Sequence, residues 1–160
     1  MTAPMSKLKR SEYVRLMRDT YFSAVVREDY DAVMACFTKD GHVTIYHGDN
    51  PIQRFYKTPK RGQQSFSTFY GHLFENYHVQ FDDYHFVVDV QERTCAATFV
   101  PKLRPKRNSA YLDTGRLQLN NCNFFWYRRG KIAEMIIYYA NPRLGRKLGL
   151  APKMPTAFPK

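Results

Sequence analysis

The chain is short of acid, of cysteine and of long apolar runs. Only 14 Asp and Glu stand against 25 Lys and Arg in 160 residues, a formal charge of +11 at neutral pH. Three cysteines, Cys36, Cys95 and Cys122, lie far apart, with no CxxC pair and no histidine at ligand spacing. That argues against a disulfide framework and against a zinc site, and no metal is expected. No apolar run long enough to span a bilayer exists, so a membrane helix is excluded. The opening MTAPMSKLKRSEY is basic but is followed by no apolar stretch, so no secretory signal is expected there. GxSxG, P-loop, GxGxxG and HExxH patterns are all missing, and no cofactor is implied. These absences leave a reduced, cytoplasmic, single-domain protein as the expectation.

Positive charge on this scale first suggests nucleic acid. Its placement argues otherwise. Lys7, Lys9 and Arg10; Arg54, Lys57, Lys60 and Arg61; Lys102, Arg104, Lys106 and Arg107; and Arg143, Arg146, Lys147, Lys153 and Lys160 hold 16 of the 25 basic residues, in four segments without an acid. The rest of the chain has nine basic against 14 acidic residues. The charge is therefore expected in tails and Pro-rich connections, outside the periodic parts. DNA readers more often carry it on a helix face.

What is abundant is aromatic: 12 Phe, 12 Tyr and one Trp. In residues 11–27, Val14, Met17, Tyr21, Ala24 and Val25 fall at helical spacing, with Ser11 as a candidate N-cap. Ala32, Val33, Cys36 and Phe37 make a second short helix, which Lys39-Asp40-Gly41 is expected to end. HVTIYH (42–47) alternates and reads as a strand, and a short strand at 52–57 is possible within the following loop. Phe66, Phe69, Tyr70, Leu73, Phe74 and Tyr77 set out a third helix over 63–77, despite Gly71. From His78 onward four strand-like segments follow with short connections, an antiparallel meander. Helices segregated onto one face of a curved sheet define an α+β domain.

That order of elements, with three motifs, resembles the nuclear transport factor 2-like superfamily, which includes ketosteroid isomerases, SnoaL-type polyketide cyclases and scytalone dehydratases. The motifs are Glu-Asp-Tyr-Asp-x-Val-x-x-x-Phe with Asp-Gly (28–41), Pro-Lys-Arg-Gly-x-x-x-Phe-x-x-Phe-Tyr (59–70) and Asn-Phe-Phe-Trp-Tyr-Arg-Arg-Gly-Lys-Ile (123–132). The resemblance covers residues 11–141, leaving a basic extension at 1–10 and a basic, Pro-containing tail at 142–160. It implies a cone-shaped, strongly curved antiparallel sheet, a cystatin-like α+β barrel, with three helices on its concave face. It also implies a small apolar ligand inside and a homodimer through the outer sheet face. An architecture with so many hosts fixes no reaction.

By the same resemblance Tyr21 matches the oxyanion-donating tyrosine of ketosteroid isomerases; alternatively it is a core tyrosine with a backbone partner. Asn123 resembles a pocket asparagine of scytalone dehydratase, where ketosteroid isomerases carry a protonated aspartic acid. His78 matches an acid–base histidine of the dehydratase, whose second histidine has no counterpart here in AATFV. Tyr46 resembles a pocket tyrosine of the dehydratase. The isomerase's aspartate base is missing, since its position falls near Ile45. If Val43 and Ile45 face inward, His47 does so too and could serve as base, oriented by Asp49; otherwise Tyr46 points inward. Phe66, Phe69, Phe125 and Tyr139 become pocket walls, joined by Met17, Ile45 and Met135. Isomerisation, dehydration or aldol-type cyclisation of a hydrophobic ketone-like or hydroxylated substrate would suit such a site. A non-catalytic ligand-binding or dimerisation domain is the alternative, and binding of nucleic acid or an anionic partner by the basic segments is a third.

Overall fold

A computed structural model describes residues 7–48 and 50–140. The expected tail at 142–160 and Asp49 lie outside the described residues, as do residues 1–6. Helix α1 (residues 10–26) runs without a break, but between Leu16 and Phe22 its turns widen to π-type bonding. It starts one residue before Ser11: Lys9 is the N-cap, its backbone N–H donating to Glu12 Oε2 at 2.6 Å. Asp29 caps α2 (Tyr30–Ala35) by accepting from the Ala32 N–H at 3.0 Å. Helix α3 (residues 67–76) repeats the device of α1, with π-type turns over Ser67–Gly71 before ordinary helix over His72–Asn76. No described helix is long and apolar enough to cross a membrane.

Eight strands form one curved sheet: β1 (Phe37–His47), β2 (Gln53–Tyr56), β3 (Gln64–Ser65), β4 (Tyr77–Asp89), β5 (Thr94–Pro105), β6 (Leu117–Gln118), β7 (Asn120–Arg128) and β8 (Lys131–Ala140). Their order is β3-β2-β1-β8-β7-β5-β4, with β6 beside β5. The meander of β4, β5, β7 and β8 is antiparallel, with tight connections between β4 and β5 and between β7 and β8 and a longer one, residues 106–119, between β5 and β7. Three expectations need correction. The sheet is open rather than a closed barrel. It is not wholly antiparallel, because β1 pairs in parallel with β8 and β2 with β3. And Lys39-Asp40-Gly41 does not end a helix; it lies in β1, which begins at Phe37 opposite Ile132 and bulges before His42. Gly41 is needed there. A Cβ at that position would meet Phe37 Cβ and the Thr38 carbonyl oxygen at 3.0 Å.

The positive charge is also less peripheral than its sequence setting suggests. Arg54 is on β2, and Lys102 and Arg104 are on β5. A proline-flanked basic run reads as a connection, but here Pro101 and Pro105 both lie within a strand.

Alternation divides the sheet, with Thr44 of β1 the exception, buried although it lies between inward Val43 and Ile45. Val43 and Ile45 of β1, Cys95, Ala97 and Phe99 of β5, Asn121, Asn123 and Phe125 of β7, and Met135 and Ile137 of β8 are buried against the helices. Phe22 of α1 anchors this interior, with its ring 4.7 Å from Phe99 and 5.8 Å from Phe125 by centroid. The opposite face carries Tyr46, Phe124, Trp126 and Tyr138; Tyr46 and Tyr138 stack at 4.9 Å.

Candidate functional site

Between α1, α3 and the inward face of the sheet lies a cavity of about 40 Å³. That is room for roughly one water molecule. Its apolar lining includes Phe22, Val25, Phe69, Leu73, Phe81 and Phe99, and its polar lining is Tyr21, Tyr70, Asn121, Asn123 and Tyr139. Every polar group in this lining is neutral. No histidine, carboxylate or cation is among them.

The two helices bring their phenols together. Tyr21 of α1 and Tyr70 of α3 are 3% and 1% exposed, and their hydroxyl oxygens are 2.9 Å apart. Both sit in the π-widened turns of their helices, a local form often found where a helix builds a site. Burial raises the pKa of both phenols far above its usual value, and each is further affected by the other's hydroxyl. Burial raises that of Tyr139 as well. These groups are therefore hydrogen-bond donors and remain protonated; none is a base.

Strand β7 supplies the amides. Asn121 and Asn123 are 6% and 2% exposed, and neither Oδ1 has a hydrogen-bond partner. Asn123 Nδ2 faces Met135 Sδ at 3.6 Å, a weak acceptor. Turning the amide over would set oxygen against sulfur, so Oδ1 stays on the unpartnered side. Two buried acceptors without donors are costly, about 1–3 kcal/mol each.

The structure does not bring all the expected residues together. Tyr21, Asn123, Phe69 and Tyr139 line the cavity. Met17, Ile45, Phe66, Phe125 and Met135 are buried in the core around it without lining it. Val43 and Ile45 face inward, so His47 takes the inward alternation and Tyr46 the outer face. The half-buried His47 ring packs 5.5 Å from Tyr139, and its Nδ1 lies 3.3 Å from Asn50 Nδ2. His78 is elsewhere: half-exposed at the start of β4, with Nδ1 3.6 Å from Glu28 Oε1. Glu28 also pairs with Lys106 at 3.1 Å.

Two members of the site carry no role in the sequence reading. Tyr70 was indistinguishable from the core aromatics of α3, and only its contact with Tyr21 marks it. Asn121 shares the face of Asn123 by alternation, a placement legible in the sequence, but nothing there gave it a role. Among the described residues, no group of three His, Cys, Asp or Glu could hold a metal ion. The buried thiols are inert: burial pushes Cys36 up to about 11 and Cys95 to about 12.

Neither a family model nor a curated protein matches the chain by sequence. Solved structures do match by shape. A candidate polyketide cyclase from Xanthomonas campestris pv. campestris superposes with a TM-score of 0.63 at 21% identity, over 82% of this chain and 92% of that one. The epoxide hydrolase/cyclase-like enzyme SalBIII, from pyran ring formation in the polyether salinomycin, gives 0.62 at 16%, over 82% and 93%. A nuclear transport factor 2-like protein from Burkholderia xenovorans gives 0.60 at 14%, over 82% and 92%. At these identities the likeness speaks for the fold: the chain has the nuclear transport factor 2-like, cystatin-like fold.

Proposed function

We propose that the interior opens, by displacement of the half-buried Leu73 and Tyr139 at the cavity wall, to take a small, mainly apolar molecule bearing a hydroxyl or an enolisable carbonyl, and that the protein moves a proton on it without a cofactor. Isomerisation, dehydration or ring closure would all use such a step. The observation that carries this is the pair of unpartnered amide oxygens, Asn121 Oδ1 and Asn123 Oδ1, beside the Tyr21–Tyr70 phenol pair on otherwise apolar walls. A carboxamide oxygen can only accept, so its natural complement is a donor on the ligand. The phenols complement an oxygen that gains charge, because they donate without ionising. His47 is the proposed proton carrier, as the inward-alternating imidazole packed on cavity-lining Tyr139. The structural neighbours described as cyclases support the reading at the level of reaction class.

The test is exchange of the α-protons of β-tetralone in deuterated water, followed by proton NMR. Wild type accelerates exchange; Tyr21→Phe and His47→Gln each slow it at least about tenfold, which corresponds to roughly 1.4 kcal/mol of lost transition-state stabilisation. Unchanged exchange in both variants would remove their roles. A second reading, ligand binding without chemistry, is favoured by the lack of any titrating base in the cavity lining; β-tetralone binding without accelerated exchange would select it. We further infer a homodimer through the outer sheet face, where Tyr46, Phe124, Trp126 and Tyr138 form one aromatic surface and Tyr138 is 44% exposed.

A further inference from the structure

The basic segment around Lys102 and Arg104 is part of a built surface. Strand β5 pairs on one side with β4, setting His78 opposite Arg104 and Gln80 opposite Lys102. On its other side it pairs with β6, setting Lys102 opposite Gln118 and Leu103 opposite Leu117. Arg116, just before β6, lines the same groove as Arg104. One cross-strand row results, Gln80–Lys102–Gln118, on adjacent strands about 4.8 Å apart, and beside it lie the His78–Arg104 pair and Arg116. All six side chains line one groove of about 600 Å³, a size that suits a small molecule.

The charge in this groove is compensated at two points and not at the others. Lys102 Nζ meets Asp82 Oδ2 at 2.6 Å, and Asp82 also accepts from Gln80 Nε2 at 3.1 Å. His78 has Glu28. Arg104 and Arg116 make no ion pair and no side-chain hydrogen bond among the described residues. Two guanidinium-bearing residues in one groove repel each other unless something negative lies between them. Guanidinium groups also present paired donors that match the edge of a phosphate.

We propose that this groove binds a small hydroxylated phosphate ester, with Arg104 and Arg116 gripping the phosphoryl oxygens and Gln118 meeting a hydroxyl. The site is separate from the cavity of the cone and independent of the reaction proposed there. A nucleic-acid strand is disfavoured because no aromatic side chain lines the groove to stack a base.

The experiment is calorimetric titration of the whole protein at low ionic strength with glycerol phosphate, inorganic phosphate, glycerol and a single-stranded oligonucleotide. Glycerol phosphate binds, inorganic phosphate binds more weakly, and glycerol does not bind. Arg104→Gln and Arg116→Gln each weaken glycerol phosphate at least about tenfold, while Arg61→Gln, a surface cation outside the groove, leaves it unchanged. These are exposed positions, so the variants fold, and unchanged far-UV circular dichroism confirms it. Absence of glycerol phosphate binding, wild-type affinity in either groove variant, or tighter Arg104-dependent binding of the oligonucleotide would each overturn the proposal.

Discussion

The Tyr21–Tyr70 pair makes a quantitative demand on stability. Its hydroxyl oxygens are 2.9 Å apart, both side chains are almost wholly buried, and neither phenol ionises in the working range. Tyr21→Phe removes one hydroxyl and strands the other in an apolar setting. A buried hydroxyl left without a partner costs about 1–3 kcal/mol, more than the net worth of the bond itself. Tyr70→Phe strands the other hydroxyl and carries the same cost. The double variant strands neither, and two phenyl rings fill nearly the same space. The expected pattern in urea denaturation is therefore two single variants destabilised by about 2 kcal/mol each and a double variant no worse than either. The coupling is about 2 kcal/mol in magnitude. Additive losses, with the double variant at the sum of the singles, would show that the two hydroxyls do not depend on each other.

Leu73 lines the cavity from α3 and is only half-buried. Leu73→Ala should cost about 1–2 kcal/mol of stability, below the usual cost of emptying a fully buried site, and should tighten binding of β-naphthol by enlarging the space. Weaker binding in a folded variant would contradict this. His72 bonds to Tyr111 Oη at 2.9 Å, and burial holds its pKa below the ordinary 6.5. The folded form thus resists a proton that the unfolded chain accepts, so stability is full above pH 6.5 and falls as the pH drops toward the folded-state pKa. His72→Gln should flatten that part of the pH profile, and an unchanged slope would discount the residue. For the outer face, Tyr138→Asp should convert a dimer to a monomer by light scattering while leaving interior binding intact; a wild type that is already monomeric would refute the dimer.

How far the sequence reached depended on periodicity. The strands from 77 to 140 and the segregation of helices followed from alternation and short connections, because each inward side chain must be buried or the sheet has no core. The 37–41 segment misled, since Lys39, Asp40 and Gly41 carry stop signals for a helix, yet here form a bulged strand that only Gly41 allows. Residues 111–127, one of the four strand-like segments, instead begin with a short helical turn at Leu112–Thr114. Tyr21 and Asn123 could be picked out as polar interruptions of apolar rows. Tyr70 could not, because pairing between helices 49 residues apart leaves no trace in local spacing. His78 entered by resemblance and His47 by the alternation of β1; in the structure His47 packs on cavity-lining Tyr139, whereas His78 faces Glu28.

The account rests on Asn121 and Asn123 as acceptors waiting for a ligand's donor. Titration with β-naphthol and with naphthalene, which has the same ring frame without the hydroxyl, isolates that contribution. Wild type should bind β-naphthol at least about tenfold more tightly than naphthalene, and Asn123→Leu should erase the difference by weakening only the naphthol. Equal affinity for the two molecules in wild type, or a hydroxyl preference that survives Asn123→Leu undiminished, would contradict it.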